Sequence, residues 1–169
     1  MYTAATTRTT AGHIAKAMRD IDDEAGKNDW VRAIVDVPGV GGGIVDRLAE
    51  LGLSVTPYNG GEAPFDKERF VNARVEDYWT LREVETGEVD IDPDDDEFAV
   101  QLGSIKWGVD SRGRIKIESN DHMHKRGLPS PDRADTAAML FSGRAQGRSV
   151  DVESHAGESI TADLMTKAS

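Results

Sequence analysis

The stretch from Val31 to Gly43 constrains the fold of this chain more than any other part of its sequence. It begins with a mostly apolar run, Val31–Val35, which is typical of a buried strand. Asp36 closes this run, and the glycine-rich segment Gly39–Gly43 follows. The pattern predicts a strand that carries a carboxylate to the edge of a sheet, where a tight turn leads into a helix.

The residues after this turn predict a second strand parallel to the first. Ile44, Leu48 and Leu51 recur at helical spacing, and Gly52 is placed to end that helix in the left-handed conformation. Leu53–Tyr58 is then typical of a strand. A strand–helix–strand order with short connections favours a parallel pair joined by a right-handed crossover, and therefore an α/β fold.

Periodicity and turn residues predict the remaining elements. They are helices at 67–85 and 98–102, and a hairpin with strands at 105–109 and 114–117. A first helix is expected to begin near residue 10, with Ile14, Met18, Ile21 and Ala25 at helical spacing and Gly26 as its stop. The last helix is expected to start at Ser130, whose hydroxyl can cap it, with Pro131 in the favoured first position.

Length and composition indicate one globular domain with a tail. With 169 residues the chain can bury one good core, and from Ser142 onward its residues are polar and small. We therefore expect a domain over residues 1–141 and a flexible polar tail over 142–169. No apolar stretch approaches the roughly 20 residues that span a bilayer. The absence of cysteine excludes disulfides and thiolate metal sites, and fits a reducing cytoplasm.

The net charge of −11 argues against a protein that grips nucleic acid by a broad basic surface. Much of the excess is local, because Asp90–Glu97 carries six acids in eight positions. We interpret this run as a solvated loop that leads into a helix whose first turn favours negative charge. A calcium loop is excluded by spacing, because Asp95 replaces the turn glycine and Gln101 replaces the final glutamate.

Three acids are candidates for a divalent metal site. Asp36 lies at a strand end, while Asp132 and Asp135 lie one turn apart at the start of the last helix. Separated acids that converge at element ends suit Mg²⁺ or Mn²⁺. The structural alternatives are that Asp36 accepts hydrogen bonds from turn amides and that Asp132 interacts with the helix dipole. Asp135 is flanked by alanines that should be buried, and a buried carboxylate needs a cation or donors.

The positive charges nearest these acids are Lys116, Lys125, Arg126 and Arg133. They are either ordinary solvated charges or contacts that hold a phosphate backbone against the metal. The four histidines are expected at the surface. Asp36–Gly39 matches the Asp-x-x-Gly of GTPase switch regions, but the sequence has no phosphate loop. The glycine run also fails the dinucleotide fingerprint, because Ile44 stands where its third glycine should be.

Several blocks in order over residues 10–141 resemble the nuclease domain of the tailed-phage terminase large subunit. They are Asp36–Leu48, Val71–Arg74 with Tyr78 and Trp79, Gly113–Glu118, and Arg126–Gly127 leading to Ser130–Asp135. The resemblance implies a ribonuclease H-like fold, a mixed sheet flanked by helices. It also implies that two Mg²⁺ or Mn²⁺ ions cut concatemeric double-stranded DNA during genome packaging. Asp36 and Asp135 match the family's catalytic acids, with Asp132 as an accessory ligand.

The sequence also departs from that family. The ATPase domain and the first strands of the nuclease domain, one of which carries an essential aspartate, have no counterpart here. Asn120 stands where relatives often have lysine. We therefore expect a fragment, a decayed prophage remnant or a chain completed by another, with weak or no cleavage alone. Two metals about 4 Å apart need a bridging carboxylate, and that carboxylate is the missing one.

The resemblance further implies partners and a location. Double-stranded DNA, a portal protein, the small terminase subunit or a separate ATPase chain are the expected partners, in the cytoplasm of a bacterial host and without a membrane. One alternative is a non-catalytic module that binds DNA or the portal. Another is a nucleotide-binding switch protein, which depends on Asp36–Gly39 alone.

Overall fold

The computed structural model describes residues 4–24, 31–39, 41–84, 92 and 94–144. Helices and short strands alternate along these residues, which makes the fold mixed α/β as predicted. In chain order the elements are α1 (Ala4–Glu24), β1 (Ala33–Asp36), α2 (Gly41–Glu50), β2 (Val55–Tyr58), α3 (Ala73–Val84), α4 (Asp96–Ser104), β3 (Trp107–Val109), β4 (Ile115–Ile117), α5 (Asn120–Lys125) and α6 (Asp132–Leu140).

Strands β1 and β2 form the parallel pair that the sequence predicts. Ala33 pairs with Val55 and Asp36 pairs with Tyr58, so both strands end at the same edge of the sheet. Gly52 has a φ of 70°, which ends α2 in the left-handed conformation as expected. The register therefore places the Asp36 carboxylate and the Tyr58 ring side by side.

A first hydrophobic core joins α1, α2 and β1 through Ala11, Ala15, Val35, Ile44 and Leu48. The small side chains of Ala11 and Ala15 allow α1 to approach α2 closely. Burial of a leucine such as Leu48 contributes about 1.5–3 kcal/mol to the stability of the fold. Helix α1 begins at Ala4, before the predicted start near residue 10. Its threonines are tolerated because a hydroxyl can bond one turn back, as Thr10 Oγ1 does to the Thr6 carbonyl at 3.0 Å. The predicted stop, Gly26, lies outside the described residues.

A second core joins α3 to α6 through Tyr78, Leu81, Ala134 and Ala138. The predicted hairpin packs beside it, with β3 antiparallel to β4. Gly113 has a φ of 81° in the connecting turn. Phe70 forms an isolated parallel bridge with Ile115, which links the hairpin to the segment before α3.

Helix α3 begins at Ala73, so the predicted helical start at Lys67 is wrong. The Asp66 carboxylate accepts from the amides of Glu68 and Arg69 at 3.2 and 3.0 Å, which makes a turn there. Asn72 then caps the helix by accepting from the Val75 amide at 3.0 Å. Side-chain bonds to the backbone therefore override the apolar periodicity of this stretch.

Helix α6 is not capped by Ser130, contrary to the sequence prediction. The Ser130 hydroxyl lies 3.1 Å from Nε2 of His124, and Pro131 occupies the capping position without a side-chain bond. The buried Gln101 of α4 instead accepts from the first amides of α6, those of Arg133 and Ala134, at 2.9 and 3.2 Å. A residue distant in sequence thus accepts hydrogen bonds from the amides that have no partner within the first turn of the helix.

Helix α5 was not predicted, although Ser119 caps it by accepting from the His122 amide at 3.3 Å. Part of the acidic run behaves as predicted, because Asp95 caps α4 by accepting from the Phe98 amide at 3.0 Å. Residues 85–91 and 93 lie outside the described part.

Within the described residues, the packed part of the chain continues past the predicted boundary at 141 as far as Arg144. Ser142 is fully buried, and the Arg144 guanidinium contacts Glu76 at 3.4 Å and the Ala63 carbonyl. The rest of the predicted tail, residues 145–169, lies outside the described residues. Among the helices that the structure describes, none is long and apolar enough to cross a bilayer.

Candidate functional site

Asp36 lies at the end of β1, where the chain turns into α2. The Val37 amide donates to the Tyr58 carbonyl at 2.8 Å, which continues the pairing of the two strands one residue past Asp36. Gly39, with a φ of 89°, allows the turn. Gly41 allows close packing, because a Cβ atom there would lie only 1.8 Å from the Asp36 carbonyl oxygen. The glycine-rich run therefore fixes Asp36 against the start of α2.

Asp135 lies one turn into α6 and is held by two donors from α3. The Tyr78 hydroxyl donates to its Oδ1 at 2.8 Å, and Nε of Arg74 donates to the same oxygen at 2.9 Å. Arg74 and Tyr78 are four residues apart and share one face of α3, which is why both reach Asp135. The second carboxylate oxygen of Asp135 has no bond to either side chain.

Asp36 and Asp135 line the same cavity, which has a volume of about 330 Å³. The polar groups around it come from the end of β2, the β2–α3 segment, α3 and α5, namely Tyr58, Gly60, Gly61, Asn72, Arg74 and Asn120. The structure thus brings together the acid that ends the first strand and one of the acids that open the last helix.

The electrostatics of the cavity show that the two carboxylates interact. Partial burial, first, and the negative charge of Asp135, second, raise the pKa of Asp36 above its ordinary value, while Arg74 opposes both effects. Burial and the adjacent Asp135 charge also raise the pKa of Tyr78, so this hydroxyl stays protonated and remains a donor. The cavity therefore concentrates negative charge that one guanidinium only partly neutralises.

Arg74 connects the parts of the site, and the sequence analysis gave it no role there. Besides Asp135, its guanidinium donates to the Glu118 carbonyl at 3.3 Å and to Oδ1 of Asn120 at 3.1 Å. It also lies 5.2 Å from the centroid of the Tyr78 ring. The sequence did contain a signal for this role of Arg74. Arg74 and Tyr78 have i, i+4 spacing and lie within a block that resembles the terminase family.

Tyr58, which lines the cavity, forms a buried pair with Asp77. The Tyr58 hydroxyl donates to Asp77 at 2.8 Å, and both residues are buried. Burial raises the pKa of Asp77, while its hydrogen bonds from Tyr58 and Ser142 act in the opposite direction. The hydrogen bond to Asp77 holds the Tyr58 side chain, and the strand register places Tyr58 next to Asp36.

Asp132, the third predicted ligand, lies outside this cavity and is exposed at the start of α6. It lies three positions before Asp135, which places it about 4.5 Å closer to the helix N-terminus. Over the described ranges, no three histidine or acidic residues form a cluster suited to a metal ion. Of the three acids predicted to bind metal, two therefore line the cavity, Asp36 and Asp135.

The four predicted DNA contacts all lie away from the cavity lining and are exposed. Arg126 pairs with Glu118, and Arg133 pairs with Asp95 and Glu97 at 2.5 and 3.4 Å. Lys116 lies on β4, and Lys125 ends α5. Two of the four positive charges are thus already compensated by carboxylates.

The donor set of the cavity fits a hard divalent cation. Asp36 and Asp135 supply carboxylate oxygens, and Asn120 supplies an amide oxygen, which are the ligand types that Mg²⁺ and Mn²⁺ prefer. A cation between the two acids would relieve their mutual repulsion, which contributes, after burial, to the raised pKa of Asp36.

No protein-family model matches the sequence, and no curated protein matches it significantly. Solved structures do match. The nuclease domain of the large terminase subunit of bacterial virus Sf6 matches at 21% identity, with a TM-score of 0.57 over 83% of this chain and 73% of that one.

Mutant forms of the same viral domain also match. One, solved with manganese, has 23% identity and a TM-score of 0.55, covering 72% of this chain and 69% of that one. Another, solved with manganese and beta-thujaplicinol, has 21% identity and a TM-score of 0.58 over 83% and 73%. This chain therefore has the ribonuclease H-like fold of the large-terminase nuclease domain.

Proposed function

We propose that residues 1–141 form a metal-dependent DNA endonuclease domain of the tailed-phage terminase type, which hydrolyses phosphodiester bonds of double-stranded DNA during genome packaging. One observation carries this proposal: Asp36 and Asp135 meet at a single cavity within a fold shared with terminase nuclease domains. The manganese in solved mutant forms of the Sf6 domain supports a divalent ion as cofactor.

In this proposal the chain's own residues bind and orient the reactants. Asp36 and Asp135 hold Mg²⁺ or Mn²⁺, which supplies Lewis acidity and a water of lowered pKa when bound. Arg74 provides a positive charge beside the position of the substrate phosphate. Tyr78 keeps the Asp135 carboxylate in one orientation by its hydrogen bond. Lys116, Lys125, Arg126 and Arg133 are proposed to contact the DNA backbone further out.

We further propose that cleavage by this chain alone is weak. Among the residues that the structure describes, two carboxylates line the cavity, whereas two ions about 4 Å apart need a bridging acid as well. A portal protein, a small terminase subunit or a separate ATPase chain are the proposed partners, in the bacterial host cytoplasm. Ser142 and Arg144 pack against the domain, so the proposed tail outside it is residues 145–169.

A plasmid assay tests the proposed activity. Purified protein incubated with supercoiled plasmid and Mn²⁺ should produce slow nicking that chelator abolishes. Asp36→Ala and Asp135→Ala should each lower the rate by at least about 100-fold, because each removes a metal ligand. Asp132→Ala is the matched control and should keep more than about half of the rate, because Asp132 lies outside the cavity. Nicking that survives Asp36→Ala would contradict the proposal, and rapid complete cleavage by the unmodified chain would contradict the claim of weakness.

The second candidate function is a non-catalytic module that binds DNA or a portal protein. It is favoured by the Arg74–Asp135 pair, which neutralises one of the two acids without a metal. Gel-shift and pull-down measurements separate the two functions. Specific binding without any metal-dependent strand loss would support the module, whereas metal-dependent loss sensitive to Asp36 would support the nuclease.

A further inference from the structure

Asp135 has a cationic partner within the protein itself. Nε of Arg74 and Oδ1 of Asp135 are 2.9 Å apart, and about a quarter or less of each side chain is exposed. Oδ1 also accepts from the Tyr78 hydroxyl at 2.8 Å. Oδ1 thus receives two strong donors, so a metal ion at Asp135 would have to use Oδ2 beside the Arg74 charge or displace Arg74 from Oδ1.

The guanidinium is also fixed in place by its other bonds. Its two terminal nitrogens donate to the Glu118 carbonyl and to Oδ1 of Asn120, and the group lies over the Tyr78 ring. Asn120 is therefore engaged as well, although its amide oxygen is one of the possible ligands in the cavity. Arginine keeps its charge at any ordinary pH, so this cation does not leave by losing a proton.

We infer that Arg74 is a built-in counter-cation that competes with a divalent ion for Asp135. The inference deepens the proposed function, because it assumes that Asp36 and Asp135 are the metal ligands. It has two consequences. The acidic site stays assembled without metal, and metal enters only when Arg74 gives up its bond to Oδ1 or tolerates a second positive charge nearby. The affinity for Mg²⁺ or Mn²⁺ is held low by this residue.

Arg82 provides a matched control on the same helix. Its guanidinium lies 4.7 Å from the centroid of the Trp79 ring, and Arg82 is not among the residues that line the Asp36–Asp135 cavity. Replacing Arg74 or Arg82 with glutamine removes the same charge from α3. Only the first replacement removes a donor from Asp135 and Asn120.

The test is a Mn²⁺ titration followed by electron paramagnetic resonance, with the unmodified full chain and its variants at equal concentration. We expect Arg74→Gln to bind Mn²⁺ at least about fivefold more tightly than the unmodified protein, because a repelling and competing charge is lost. Arg82→Gln should stay within about twofold. Affinity in Arg74→Gln that is unchanged or weaker would overturn the inference.

Two further variants keep the test decisive. Should Arg74→Gln fail to fold by circular dichroism, Arg74→Lys takes its place, since lysine loses the planar fork that bonds three groups at once. It should bind Mn²⁺ at least about twofold more tightly, and an unchanged affinity would overturn the inference. Adding Asp36→Asn to either variant should abolish the gain. If Mn²⁺ binding stays tighter after Asp36 is replaced, the proposed metal site itself is contradicted. If Mn²⁺ binding requires Asp36 but has the same affinity with and without Arg74, only the inference is contradicted.

Discussion

Gly41 shows how one residue shapes the cavity. Its backbone passes so close to Asp36 that a side chain would overlap the Asp36 carbonyl oxygen. At the neighbouring Gly42, in the same helix turn, an added Cβ atom would point into open space. The glycine run follows Asp36 directly in the sequence, which predicts the turn, but which glycine must stay small depends on steric contacts along the tertiary path of the chain.

Replacing Gly41 with alanine should therefore destabilise the protein. We expect a loss of about 1–3 kcal/mol in the free energy of unfolding, because the new methyl group forces β1 and α2 apart. Gly42→Ala is the control and should leave stability unchanged or raise it by up to about 1 kcal/mol, since alanine favours a helix. Urea unfolding measures both, and equal effects of the two substitutions would contradict this role for Gly41.

At the scale of elements, local patterns predicted the strands and the glycine-ended helix well. The parallel pair, the hairpin and the stop at Gly52 follow from residues that are adjacent in sequence. The starts of α3 and α6 did not, because they depend on side-chain bonds from Asp66 and from the distant Gln101. Two of the proposed site residues, Asp36 and Asp135, line one cavity in the structure. Arg74 and Tyr78 were not proposed, because they reach Asp135 through a contact between two helices.

That contact between α3 and α6 positions Asp135, and Leu81 is buried at its centre with 1% of its surface exposed. Leu81→Ala should lower the free energy of unfolding by about 2–5 kcal/mol, through lost burial and the cavity left behind. Leu140→Ala is the matched control on α6, where the side chain is 58% exposed, and should change stability by less than about 0.5 kcal/mol. Thermal and urea unfolding compare them, and a small effect at Leu81 would show that the two helices are held together in another way.

For the whole molecule, the net charge of −11 means that the DNA of the proposed function would be held by a few local contacts rather than by a basic face. Arg126 and Arg133 are paired with acids, which reduces the positive field still further. A divalent cation at Asp36 and Asp135 would offset part of the repulsion between the cavity and a phosphate. Metal and DNA binding should therefore be coupled in this chain.

The most direct test of this assembly is a crystal soaked in excess MnCl₂ and measured near the manganese absorption edge. We predict an anomalous difference peak in the cavity, within about 2.5 Å of carboxylate oxygens from both Asp36 and Asp135. Carboxylates that point away from each other, or manganese bound elsewhere with none between these two residues, would contradict the proposal that they form a metal-dependent nuclease site.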